Sequence, residues 1–96
     1  MYYTVAYDIS NDKTRRLAVK LCKKAGLVRV QHSYFMGRSG RLRIQWLRRD
    51  LELHLNSETD SLSIQPISKS AFEATVFVGK PIIKDEVIRN YLVVFI

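Results

Sequence analysis

The sequence is short of most of the residues that small proteins use to brace themselves. Cys22 is the only cysteine among 96 residues, and one thiol makes neither an internal disulfide nor a zinc cage. There are two prolines, four glycines, one tryptophan and two histidines, so Gly/Pro-rich linkers and low-complexity segments are excluded, and no internal repeat is visible. No apolar run approaches the 18 residues of a membrane span. The N-terminal MYYTVAYDIS has no basic segment and reaches a carboxylate at Asp8, which does not fit a secretory signal and points to the reducing cytoplasm. The most telling shortage is of acid. From Lys13 to Arg49 there are twelve cations and no carboxylate, whereas residues 50–96 hold seven acids against four bases.

What remains is one domain over residues 1–96, 47% hydrophobic and 26% charged, with a formal charge of +7. A chain this short buries only about 60–65% of its unfolded surface, so a partner subunit is the expected supplement to its core. A 37-residue stretch of unpaired positive charge repels itself unless a polyanion lies against it, and nucleic acid is the natural one. Nine of the sixteen cations are Arg, whose planar fork suits phosphate oxygens.

Tyr2–Asp8 reads as a strand, with Tyr3, Val5 and Tyr7 on one face and Thr4, Ala6 and Asp8 on the other. Asn11 or Asp12 can cap a helix of about 13 residues that stops at Gly26. Leu17, Ala18, Leu21, Cys22 and Ala25 form its apolar stripe, which makes Cys22 a core side chain, and Lys13, Arg16, Lys20, Lys23 and Lys24 fall largely opposite. Leu27–Met36 is a strand or a tight pair of strands, closed by a turn at Gly37–Gly40. A second helix is expected over Arg41–Leu55, with Ile44, Leu47, Leu51 and Leu55 inward, Trp46 packed at the stripe's edge in preference to stacking on a base, and Arg41, Arg48 and Arg49 extending the basic surface. After a polar loop at 56–60, strands are expected at Leu62–Ile67, with Pro66 marking an edge or bulge, and at Ala74–Gly79. Tyr91–Ile96 is an uncharged strand-forming run that must pair with its own sheet or a second subunit's. The element order predicts an α+β, ferredoxin-like βαββαβ sandwich with an extra C-terminal strand.

Catalytic motifs are scarce. His32 and His54 lie in no Ser- or Cys-nucleophile pattern and read as structural or solvated, and neither a zinc-protease helix nor a phosphate-cradling loop is present. Before Arg49 the carboxylates are Asp8 and Asp12, and capping accounts for Asp12. Asp8 is therefore the candidate ligand for a hard divalent cation, which usually takes one or two carboxylates plus phosphate oxygens. A symmetric dimer would bring a second Asp8 alongside.

Tyr7-Asp8-Ile9-Ser10, the basic helix Lys13–Lys24, Gly26-Leu27, Arg29-Val30-Gln31-His32-Ser33-Tyr34-Phe35 and Asp60–Ile67 resemble, in order over about residues 1–67, the CRISPR-associated endoribonuclease family, the second protein of the spacer-acquisition pair. The resemblance implies an obligate homodimer in which two copies of Asp8 share Mg²⁺ or Mn²⁺, and a C-terminal strand, 87–96, exchanged with the partner. It carries activity-linked positions to Tyr7, Asp8, Arg15, Arg29, Ser33 and Phe35. Where the family often shows Ser-Val-Phe and an acid, this sequence has Ser33-Tyr34-Phe35-Met36, so no second local carboxylate is implied. The implied activity is metal-assisted hydrolysis of RNA or DNA phosphodiesters. The backbone would be bound by Lys13, Arg15, Arg16, Lys20, Lys23, Arg38 and Arg41, and the CRISPR integrase, the first protein of the pair, is the implied partner. Two rival functions stay open: a non-catalytic dimeric scaffold that clamps duplex DNA between integrase subunits, and a ribonuclease toxin.

Overall fold

A computed structural model of the chain describes residues 1–79 and 93–95. Its elements run β1 (Tyr2–Asp8), α1 (Asp12–Lys24), β2 (Val28–Gln31), β3 (Tyr34–Arg38), α2 (Arg41–Glu52), β4 (Ser61–Ile67), α3 (Lys69–Glu73), β5 (Val76–Val78) and β6 (Val93–Phe95). Four strands form an antiparallel sheet in the order β2-β3-β1-β4, and β5 and β6 form a parallel pair. The expected α+β, ferredoxin-like βαββαβ core is therefore present. No helix of the described residues is long and apolar enough to cross a membrane.

Local chemistry explains the boundaries. The Asn11 side chain accepts from the Thr14 amide at 3.0 Å and starts α1, leaving Asp12 as the first helical residue rather than the cap. The helix stops where Gly26 takes φ +87°, a backbone conformation that a side chain disfavours. Residues 27–36 are two strands. His32 and Ser33 form the turn, and the register shifts between Arg29 and Gln31. β3 runs on through Gly37 to Arg38, so the turn expected at Gly37–Gly40 is shorter. There, a Cβ on Gly37 would lie 3.6 Å from Gly26 O and Leu27 Cα, against the start of β2. The second helix ends at Glu52, three residues short of Leu55, and the turn that follows still lets Leu55 pack on the core.

Alternation along β1 divides the molecule into two layers. Tyr3, Val5 and Tyr7 face α1 and α2 and join Ala18, Cys22, Phe35, Ile44, Leu47 and Leu51 in the main core. Burial pushes the Cys22 thiol up to about 12, in keeping with an inert core side chain. On the opposite face, Val30 and Met36 are covered by Phe72 of α3 and Phe77 of β5, with Tyr2 stacked on Phe72 at 4.7 Å. The helix α3 was not expected. It is a single turn and a half, too short to show a period, and it is started by Ser68, which accepts from the Ala71 amide. The strand expected at Ala74–Gly79 is the shorter β5. Of the C-terminal run, residues 87–92 and 96 lie outside the described part, and β6 runs parallel to β5 of the same chain.

Candidate active site and nucleic-acid interface

Tyr7 is the last helix-facing residue of β1, and around it the hairpin turn and the first turns of α1 close a cavity of about 450 Å³. Tyr7 stacks on Phe35 at 6.3 Å, and its hydroxyl donates to the His32 carbonyl at 3.5 Å. The same carbonyl accepts from Arg29 Nε and Nη2, at 3.1 and 2.8 Å. Arg15 Nη1 donates to the Ile9 carbonyl at 3.2 Å, and its other arm pairs with Asp12. Each guanidinium is thus held by backbone oxygen, with N–H donors to spare for an anion. Asp12, Arg16, His32 and Ser33 complete the polar lining. Burial raises the pKa of Tyr7, helped by Cys22 beneath it and opposed by the positive charges of Arg29 and Arg15; the phenol stays protonated and able to donate at neutral pH.

Asp8 does not line this cavity. It follows Tyr7 on the strand and points to the other sheet face, exposed, in register with Ser61, while Ala6 and Thr4 stand opposite Ser63 and Gln65. The α3–β5 cover on this face reaches Tyr34, which meets Phe77 edge-on and stands opposite Ala6, two residues before Asp8. Of the six activity-linked positions, then, Tyr7, Arg15, Arg29 and Ser33 converge on one cavity. Phe35 is fully buried beneath it, and Asp8 occupies the same end of β1 on the reverse side. Among the described residues no three His, Cys, Asp or Glu side chains are grouped to hold a metal.

The loop after Asp8 is anchored by a carboxylate that the sequence reading passed over. Asp60 Oδ1 accepts from the Ser10 amide, the Ser10 hydroxyl and the Thr59 hydroxyl, all at 3.1 Å, and Oδ2 accepts from the Asn56 amide at 3.0 Å. Donation by the Asn56 and Ser10 amides holds its pKa below the usual carboxylate value. The signal available in the sequence was the Asn-Ser-Glu-Thr-Asp run, whose end residues favour side-chain-to-backbone turns.

Lys13, Arg16, Lys20 and Lys23 are exposed along the outer face of α1, a stripe about 15 Å long at 1.5 Å per residue. It joins the arginine cavity to a second cationic end, where Arg38 closes β3 opposite Tyr2 and Arg41 opens α2. The seven expected backbone-binding residues therefore form two ends and a connecting stripe. Of the twelve cations between Lys13 and Arg49, only Arg15 and Arg48 are in ion pairs among the described residues. Trp46, expected to pack at the edge of the α2 stripe, is 59% exposed.

Comparison with known proteins fits this geometry. A family model described as CRISPR associated protein Cas2 matches residues 1–75. A Pyrobaculum aerophilum protein named CRISPR-associated endoribonuclease Cas2 2 is 30% identical over 81 residues, covering 84% of this chain and 89% of its own. An Aeropyrum pernix protein named CRISPR-associated endoribonuclease Cas2 is 33% identical over 67 residues, covering 70% and 73%. Among solved structures, Streptococcus pyogenes Cas2 superposes with a TM-score of 0.65 at 26% identity, covering 74% of this chain and 90% of that one. The hypothetical protein TT1823 of Thermus thermophilus gives 0.62 at 36% identity, covering 70% and 80%. A sheet order of β2-β3-β1-β4, a lone carboxylate ending β1, a basic first helix and a match over residues 1–75 place this chain in the CRISPR-associated Cas2 family.

Proposed function

We propose that this chain is a homodimeric, divalent-metal-dependent endonuclease for RNA or DNA phosphodiesters that serves CRISPR spacer acquisition in the cytoplasm, alongside the integrase. The observation that carries the reading is the exposure of the Asp8 carboxylate where β1 ends. A carboxylate placed there, in no ion pair among the described residues, is of the oxygen type that Mg²⁺ or Mn²⁺ takes. One such group is half of a site, and a two-fold axis beside the end of β1 supplies the other half. The outer edge of β4 supports the dimer, because it has no strand partner among the described residues and an open edge invites a strand of a second subunit.

In such a dimer the paired Asp8 carboxylates would hold the cation, which supplies a water of lowered pKa and polarises a phosphoryl oxygen. Arg15 and Arg29, fixed by the Ile9 and His32 carbonyls, bind flanking phosphates and keep the strand in place. Ser33 and the Tyr7 hydroxyl contribute neutral donors, and the α1 stripe carries the backbone onward. Contacts of this kind go to phosphate rather than to bases, so cleavage should depend weakly on sequence.

The test is Asp8→Asn, which keeps shape and removes charge. It is expected to lower Mg²⁺-dependent cleavage by about 10²-fold or more, as chelation should, with the dimer intact. Undiminished cleavage would overturn the assignment. The scaffold reading is favoured by a separate observation, that the α1 stripe is unpaired and lies apart from Asp8. Under it, Asp8→Asn leaves DNA binding and spacer acquisition unchanged, and charge reversal at Arg16, Lys20 and Lys23 damages both.

A further inference from the structure

We infer that the groove between the C-terminal half of α1 and the middle of α2 is a binding site for an unpaired nucleobase of single-stranded nucleic acid, stacked on Trp46. The cavity there has a volume of about 300 Å³ and lies on the helix side of the sheet, away from Asp8. Its floor is apolar, formed by Leu21, Ala25 and Leu47, and one wall is the indole of Trp46. A large aromatic side chain left 59% exposed beside an apolar floor is poorly used as packing. Its face suits a planar ring, and every base offers one.

The charges around the groove select the ligand. Lys24 reaches it from α1 and Arg43 from α2, and neither is in an ion pair among the described residues. Asp50 stands two turns beyond Arg43 on the same helix, so cation and carboxylate flank Trp46 at about 10 Å separation along the axis. A phosphate is drawn to the Lys24 and Arg43 end and repelled by Asp50, which can instead accept from a sugar hydroxyl or a base amino group. The anionic backbone has a route to this end, because the Lys13–Lys23 stripe on α1 leads to Lys24. A base inside a duplex cannot reach the indole, and one in a single strand can, so the groove should separate the two forms.

Trp46 is the only tryptophan, which makes its emission a direct reporter of the groove. The purified protein is titrated with an unlabelled twelve-nucleotide thymidine strand and with a blunt duplex of equal length, and affinities are measured in parallel by anisotropy of labelled strands. The expected result is saturable quenching by the single strand and little by the duplex. Trp46→Ala should lower single-strand affinity about tenfold with duplex affinity unchanged. Arg43→Ala, which retains the reporter, should weaken the quenching titration several-fold, and it keeps the test sound should the tryptophan variant fail to fold. Unaltered emission at saturating single strand, equal quenching by duplex, or equal loss of both affinities in Trp46→Ala would overturn the proposal. Asp8→Asn should leave the quenching curve in place, so the groove and the metal-dependent cleavage can fail separately.

Discussion

The two faces of the central sheet are built from the same strands and have opposite characters. Among the described residues, twelve buried side chains under α1 and α2 make one continuous cluster, whereas the reverse face buries Val30, Met36, Phe72 and Phe77. That smaller cluster sits under α3 and β5, and Asp8 lies beyond it, exposed. Alternation along one strand therefore gives Val5 and Tyr7 to packing and Asp8 to solvent. Among the described residues the larger core lies on the helix side, and the reverse side exposes the carboxylate that the proposed cation would need.

The largest effects expected are in the two cores, and their ratio is the sharpest check on this contrast. Phe35→Ala should cost about 3–5 kcal/mol, since the residue is fully enclosed and its neighbours cannot close the void. Phe72→Ala should cost about 2 kcal/mol, because a helix of only one and a half turns can settle into the space. Both are read from denaturant midpoints at fixed protein concentration. Equal losses would erase the distinction between a main core and a satellite.

A smaller effect tests how the helix face is framed. Asn11→Ala removes the acceptor for the Thr14 amide at the start of α1 and should cost about 1 kcal/mol. A neutral result would mean that the Arg15–Asp12 pair alone holds the first turn.

The smallest effect lies at the rim where the two faces meet. The folded pKa of Asp60 is lowered relative to the unfolded chain, so its contribution is present above the ordinary carboxylate range and fades as pH falls through the folded value. The melting temperatures of wild type and Asp60→Asn should differ at pH 7 and converge on acidification. A gap that does not narrow would show that the Ser10 and Asn56 contacts do not depend on the charge.

Much of this architecture could be read from residues alone, and the parts that could not have physical causes. β1 and α1 were legible because a period of two and a period of 3.6 are each sustained for several residues between recognisable ends, Asn11 and Gly26. The hairpin was not, because His32-Ser33 lacks the glycine or asparagine that usually marks a two-residue turn. α3 escaped because five residues are too few to reveal a period. Within the site, Asp8 stood out by the scarcity of acids. Arg15 and Arg29 are 14 positions apart, and only the sheet topology shows that they share a cavity; their importance was suggested by resemblance. Trp46 does stand at the edge of the stripe, beside Leu21, Ala25 and Leu47, but its 59% exposure was not legible, because a flanking tryptophan looks the same in sequence whether neighbours cover it or not.

The central claim is that two chains pool their Asp8 carboxylates, and counting bound metal tests it most directly. Titrating the protein with Mn²⁺ while following the free ion by electron paramagnetic resonance should give one tightly held ion per two chains, absent in Asp8→Asn. One ion per chain, or the same binding in the variant, would contradict the account.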